Sequence, residues 1–255
     1  MAEWVYGIDS SYDLLMVEEA EKLKTVSSVY AQCLWTGLEQ PPSRVTSLRN
    51  AKDAGLVLVG YISVANNGHD GTWHVNQARA GIPDDLWDAL YRVPVDAELF
   101  GLTMSTHVQP ALARVEALGK GRDIYTSYHA WVDLLGNPTR PAGVGLWNAI
   151  WDENPDFDFP TLRYGGWLDS EVWGEQWSGG TNVLGQFADR NQFRASAMGI
   201  MPPISEPHTP VPVPPPGDSQ WLLAAAHAST LALLFATRQR PTAQLRDIIK
   251  FLIQT

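Results

Sequence analysis

Leu56-Val57-Leu58-Val59-Gly60-Tyr61-Ile62 is an unbroken apolar run, and a strand without a polar face has to be covered on both sides. Strands of that kind belong to parallel sheets flanked by crossover helices, whereas a half-wet antiparallel strand alternates polar and apolar residues. The first two hundred residues fit that frame. Trp4 to Ile8 reads as a strand ending at Asp9, Tyr12 to Leu23 has helical spacing, and Val26 to Leu34 is a second strand. Ser43 to Ala54 reads as a helix stopped by Gly55, followed by the apolar run itself. Helical segments at Trp73–Ala80 and Asp84–Leu90 precede a strand at Arg92–Asp96. A helix at His107–Leu118, closed by Gly119, precedes a strand at Asp123–Thr126. After Gly145 the helices thin out, leaving strands at Gly145–Ile150 and Val172–Trp177. Repeated strand–helix alternation at this length predicts an α/β fold closed into a TIM-like barrel rather than an open sheet.

The barrel pattern stops before the chain does. Eight prolines crowd into residues 202–216, a stretch that can form neither helix nor central strand and extends as polyproline II. It separates a main domain, 1–201, from a linker, 202–217, and a tail, 218–255. The tail reads as two helices flanking Pro241. Trp221–Thr237 is almost wholly apolar or small. Thr242–Ile253 carries Leu245, Ile248, Ile249, Leu252 and Ile253 as a stripe opposite Arg246 and Lys250. A hairpin that packs on itself or on copies of itself, giving a homo-oligomer, is the leading expectation. Cell-wall binding or docking to a phage virion comes second, and a membrane segment third, because seventeen residues fall short of the ~20 a bilayer needs.

Composition removes several classes. Cys33 is the only cysteine, so there is no disulfide framework; set in the strand Tyr30–Trp35, it reads as an inert core thiol. The formal charge of −10 argues against a nucleic-acid partner, which needs a basic stripe. Met1-Ala2-Glu3-Trp4 offers no basic start to a signal peptide. The histidines show no ligand spacing, so no metal and no cofactor are expected; Asp152, Asp156 and Asp158 lack the glycine and terminal glutamate of a calcium loop. Eleven tryptophans are a heavy allotment. Trp4, Trp87 and Trp131 fall where core packing is expected. Trp35, Trp147, Trp151, Trp173 and Trp177 fall near strand ends, where a flat side chain can line a sugar cleft.

In barrel enzymes reactive side chains stand at the C-terminal ends of strands. Asp9 ends the first strand, and Asp96 and Glu98 are two apart in Val95-Asp96-Ala97-Glu98. In a strand those two share a face with Cα atoms roughly 6.5 Å apart. Carboxylates held that close tend to keep one proton between them, and an acid beside a carboxylate is equipment for cleaving a glycosidic bond. A pair of solvated loop acids is the plainer alternative on spacing alone.

Taken in order, the motifs resemble glycoside hydrolase family 25, the Chalaropsis-type lysozymes. Gly7-Ile8-Asp9-Ser10-Ser11 resembles the family's opening strand and Pro94-Val95-Asp96-Ala97-Glu98 its D-x-E strand. Ala51–Tyr61, Ile124-Tyr125-Thr126-Ser127 and Leu146-Trp147-Asn148-Ala149 follow in the family's order. Glu175-Gln176-Trp177-Ser178 and Ala188-Asp189-Arg190-Asn191-Gln192-Phe193 complete the match over about 5–193. The resemblance implies an irregular barrel of eight strands with reduced outer helices. It also implies an N-acetylmuramidase that cuts the β-1,4 bond after N-acetylmuramic acid in bacterial peptidoglycan. Carried over, Glu98 is the general acid, and Asp96 orients the substrate N-acetyl group or acts at the anomeric carbon. Asp9 and Asp189 complete an acidic floor. Tyr61, Tyr125, Trp147 and Gln176 map to sugar-binding positions, joined by Trp35 and Trp177 from their strand ends. Lysins of this type made by phages work after release from the host cytoplasm to the wall, or as part of the particle. Two alternatives stay open: a non-catalytic glycan-binding or phage structural barrel, and an assembly protein driven by its helical tail.

Overall fold

The computed structural model of the chain describes residues 4–155, 163–183 and 186–200. Its strands are β1 (Trp4–Ser10), β2 (Val29–Trp35), β3 (Val57–Ser63), β4 (Leu90–Arg92), β5 (Val95–Asp96), β6 (Asp123–Ser127), β7 (Gly145–Ala149), β8 (Val172–Val183) and β9 (Gln186–Arg194). They pair in the order β2-β1-β9-β8-β7-β6-β5-β3, and β3 pairs back onto β2 to close the ring. β4 and β5 both lie along β3, with Leu90 opposite Leu58 and Asp96 opposite Ser63. They are two pieces of one stave, so the barrel has eight staves, the number that the family resemblance implies. All ladders are parallel except the two that β9 makes with β1 and β8.

Helices α1 (Val17–Leu23), α2 (Arg44–Asp53), α3 (Gly71–Arg79), α4 (Asp84–Ala89) and α5 (Gln109–Ala117) cover the first half. Among the described residues the second half carries only short helical turns, such as Ala130–Leu134 and Asp169–Glu171. The chain separates by its contacts into Met1–Ser205 and Glu206–Thr255. The linker expected at 202–217 and the tail expected at 218–255 lie outside the described residues.

Three elements differ from the sequence reading. The helix expected from Tyr12 starts only at Val17, because polar side chains from around α2 take the preceding backbone groups. Ser43 donates to the Tyr12 carbonyl at 2.7 Å, Asn50 donates to the Leu15 carbonyl at 2.7 Å, and the Leu15 N–H donates to Ser47 at 3.0 Å. The strand expected at Arg92–Asp96 breaks at Val93-Pro94, since proline has no N–H for the ladder; its carbonyl still accepts from Ile62 at 3.1 Å. β8 continues to Val183 rather than ending at Trp177 and forms a long hairpin with β9.

Two apolar layers result from the period of two along each stave. Tyr30, Leu34, Leu58 and Ile62 face outward against the helices, while Val29, Ala31, Cys33, Val59, Trp147, Trp173 and Phe193 fill the interior. Phe193 plugs the barrel over two glycines. A Cβ on Gly7 would lie 2.4 Å from its ring and one on Gly174 2.7 Å from it. At the N-terminal ends of the strands Arg92 holds Asp123 with two bonds of 2.8 and 2.9 Å, its guanidinium 4.7 Å from the Trp173 ring centre.

Candidate active site

The C-terminal ends of the parallel strands and the facing part of β9 surround a pocket of about 270 Å³. The four carboxylates singled out from the sequence, Asp9, Asp96, Glu98 and Asp189, all line it. No lysine or arginine is among its lining residues.

Asp96 ends β5, and Glu98 lies just past it, so the strand is shorter than the spacing argument assumed. The alternation nonetheless persists: Val95 and Ala97 are buried, whereas Asp96 and Glu98 are half-buried toward the pocket. The Ala97 N–H, bonded to the Tyr125 carbonyl at 3.0 Å, carries the pairing past the strand end. Both oxygens of Asp96 are engaged. Ser63 donates to one at 2.5 Å and the Glu98 backbone N–H to the other at 3.1 Å. Burial raises Asp96 to about 6, against the pull of those two bonds. Burial raises Glu98 further, to about 7, and the negative charge of Asp96 adds to it. The pair therefore tends to hold one proton, and the charge of Asp96 favours its resting on Glu98.

The other two acids face each other across the antiparallel β1–β9 ladder, Asp9 directly opposite Asp189. Burial raises Asp9 well above the ordinary carboxylate range, and the charge of Asp189 adds to the shift. Asp189 is raised by burial to about 6. Amides, side-chain and backbone, supply the hydrogen bonds to this pair. Gln176 donates to Asp9 at 2.8 Å and to Asp189 at 3.2 Å, Asn191 donates to Asp9 at 2.7 Å, and the Gly180 N–H donates to Asp189 at 2.5 Å. Asn191 is fixed in turn by the indole N–H of Trp147 at 3.0 Å.

Tyr61, Tyr125, Trp147 and Gln176 line the pocket as well. Tyr125 and Trp147 meet edge to face at 4.8 Å between ring centres, and the Tyr61 hydroxyl lies 2.8 Å from that of Ser11. Trp35 and Trp177 do not join them. A bulge after Cys33 sets Trp35 opposite the outward-facing Ile62, and its indole N–H donates to His74 in the outer layer at 2.9 Å. Trp177 follows the inward Gln176, so alternation turns it outward, under the Arg190 guanidinium at 5.6 Å.

The structure adds residues that the sequence reading passed over. Ser63 sits opposite Asp96 in the ladder, and Asn191 is two positions from Asp189 and therefore on its face; the period of two would have found both partners. Trp151, already placed near a strand end by the sequence, does line the pocket: half exposed at the lip, it follows β7 with a φ of 48°, and Glu153 has a φ of 62°. Backbone bonds from Ile150 and Glu153 to the carbonyls of Gln176 and Trp177, both 2.9 Å, hold this left-handed turn in place. Cys33 lines the pocket wall as a buried thiol, with burial pushing its titration up.

No family model matches the chain. Two curated proteins of Dictyostelium discoideum are similar over part of it. "Probable GH family 25 lysozyme 3" is 32% identical over 90 residues, which is 35% of this chain and 18% of that protein. "Counting factor 45-1" is 34% identical over 87 residues, which is 34% of this chain and 28% of that protein. The chain thus spans less than a third of the length of these relatives. Solved structures are similar across the barrel. The muramidase from Trichobolus zukalii has a TM-score of 0.60 at 21% identity, covering 76% of this chain and 99% of that one. The lysozyme of Streptomyces coelicolor has a TM-score of 0.60 at 19% identity, covering 77% and 96%. The catalytic domain of the endolysin from bacteriophage P40 of Listeria monocytogenes has a TM-score of 0.53 at 12% identity, covering 78% and 97%.

Proposed function

We propose that this chain, whose barrel has the fold of the glycoside hydrolase family 25 lysozymes, hydrolyses bacterial peptidoglycan at the β-1,4 bond following N-acetylmuramic acid. The observation that carries the reading is the Asp96–Glu98 pair: two carboxyls in one pocket, Asp96 held at both oxygens by Ser63 and the Glu98 N–H, and both raised by burial, Glu98 further by the charge of Asp96. Glu98 supplies the acid. Its neutral carboxyl protonates the glycosidic oxygen as the bond to the anomeric carbon breaks, and the resulting carboxylate then takes a proton from the incoming water. Asp96 supplies the negative charge. Ser63 and the Glu98 N–H hold both of its oxygens, which keeps the carboxylate aimed while it steadies the N-acetyl group or the oxocarbenium-like carbon. Asp9 and Asp189 face each other as a proton-sharing pair, and the charge they retain suits positive charge developing at the sugar. Likeness to the muramidases and lysozymes supports this substrate class, and the P40 endolysin among the similar structures favours a phage lysin acting at the host wall.

Mass spectrometry of purified peptidoglycan after digestion tests the reading. Fragments with reducing-end N-acetylmuramic acid are expected. Reducing-end N-acetylglucosamine would point to another glycosidase, and no release at all would leave a glycan-binding barrel.

A further inference from the structure

Gln176 stands where the two halves of the pocket meet, and every hydrogen-bonding position of its amide is used. A primary amide offers two N–H donors and a carbonyl oxygen with two lone pairs. The donors go to Asp9 at 2.8 Å and Asp189 at 3.2 Å. The oxygen accepts from the Tyr125 hydroxyl at 2.7 Å and from the indole N–H of Trp151. The residue is only 1% exposed. Nothing on it remains for a sugar hydroxyl, although the family resemblance assigned it to sugar binding. Turning the amide over would set its N–H groups against the Trp151 indole N–H, which can only donate, so the network admits one orientation.

We infer that Gln176 is a positioning residue that never touches substrate: it draws the Tyr125 hydroxyl proton away from Glu98 and ties the Asp9–Asp189 pair together. The inference rests on the lysozyme reading above. Tyr125 has one proton to give. Its hydroxyl lies within reach of Glu98 too, where a hydrogen bond, like the stronger ones from Ser127, favours the ionised carboxylate. The 2.7 Å bond to Gln176 competes for that proton and so limits the pull of Tyr125 on Glu98. Other titratable groups face this corner: Asp96 from β5, Cys33 from β2, Tyr61 from β3, and Tyr164 from the segment before β8. Among the described residues none of these four hydrogen-bonds Gln176.

Steady-state kinetics on solubilised peptidoglycan, followed across pH, tests the assignment. Gln176→Leu is expected to lower kcat by about tenfold or more with KM within about twofold, and to move the alkaline limb of the profile to lower pH. Adding Tyr125→Phe in that background is expected to return the limb to its wild-type position, because the released proton donor is gone. A raised KM with kcat preserved, or an alkaline limb that stays put, overturns the inference. Gln176→Glu is isosteric and guards against a folding defect. It keeps the acceptor for Tyr125 and Trp151 but can donate only when protonated, so activity is expected on the acid side of the wild-type optimum alone; an unshifted optimum overturns the inference. If the wild-type protein releases no muropeptides, the lysozyme reading fails by itself. Carboxyl ¹³C NMR then decides the role of Gln176: Glu98 is expected to titrate at lower pH in Gln176→Leu than in wild type, and identical titrations overturn it.

Discussion

Asp123 and Asp9 are both buried carboxylates, 2% and 5% exposed, at opposite ends of the same barrel. Burial raises both. At the floor, Arg92 opposes the rise with a positive charge and two hydrogen bonds, and its guanidinium is stacked near Trp173. At the mouth no cation lines the pocket, and Asp189 opposite Asp9 drives the rise further. One end of the barrel is built to keep a charge at rest. The other leaves protons on acids that would ordinarily have lost them. The difference separates a carboxylate held by a cation from one held by amides: both are buried, but only one has a counter-ion.

Breaking the floor pair should have the largest effect on stability. Arg92→Leu leaves Asp123 buried without its cation and is expected to cost about 3–5 kcal/mol in urea denaturation, with much of the loss recovered when Asp123 is also made leucine. At the mouth the effect should fall on rate instead. Glu98→Gln is expected to lower kcat about 10²–10⁴-fold in muropeptide release while binding to insoluble peptidoglycan persists. The wild-type rate should rise as Asp96 ionises near about 6 and fall as Glu98 ionises near about 7, a narrow bell read from kcat/KM against pH.

The same shifts carry a stability cost whose sign can be worked out. Folded Asp96, Glu98 and Asp189 hold protons more tightly than the unfolded chain does. Stability from these groups is therefore greatest below the ordinary carboxylate range and declines as pH rises from about 4 to about 7. Asp189→Asn should remove part of that decline. Melting temperatures are expected to gain roughly 2–4 °C, the effect of about 1 kcal/mol in a domain this size, near pH 8, with little change near pH 4. The smallest change is expected at Trp177, which faces away from the pocket and whose indole N–H has no partner among the described residues. Trp177→Phe should leave kcat/KM within about twofold, and a larger loss would bring that residue back to the sugar.

Much of this was legible in the chain. The apolar run at Leu56–Ile62 and the alternation around it lead to the staves, and the carboxylates at strand ends lead to the pocket. The losses have local causes. Trp35 reads as a cleft residue until a one-residue bulge after Cys33 reverses its face, and a bulge leaves no mark in a period-two pattern. Trp177 was misassigned by nearness to a strand end when parity with Gln176 already turned it outward. β9 shows no apolar periodicity over Asp189-Arg190-Asn191-Gln192, because its inward positions carry the polar groups of the site; only the family resemblance pointed to it. Gln176 was the hardest to read, since whether an amide serves ligand or protein depends on four partners from four separate segments.

The seam between β1 and β9 has a consequence for how the protein comes to be active. Trp4 pairs with Arg194 and Asp9 with Asp189, so the barrel's first strand in chain order is completed by its last. The hydrogen bonds that hold Asp9 at the mouth span 167 residues from Gln176 to Asp9 and 182 from Asn191 to Asp9. Contacts so distant along the chain form late, after the local structure is in place. A nascent or truncated chain that stops short of Asn191 can hold the Asp96–Glu98 segment but not its surroundings. Assembly of the four-acid pocket is in that sense a checkpoint on completion of the barrel: nearly all of its strands must leave the ribosome before the pocket can exist.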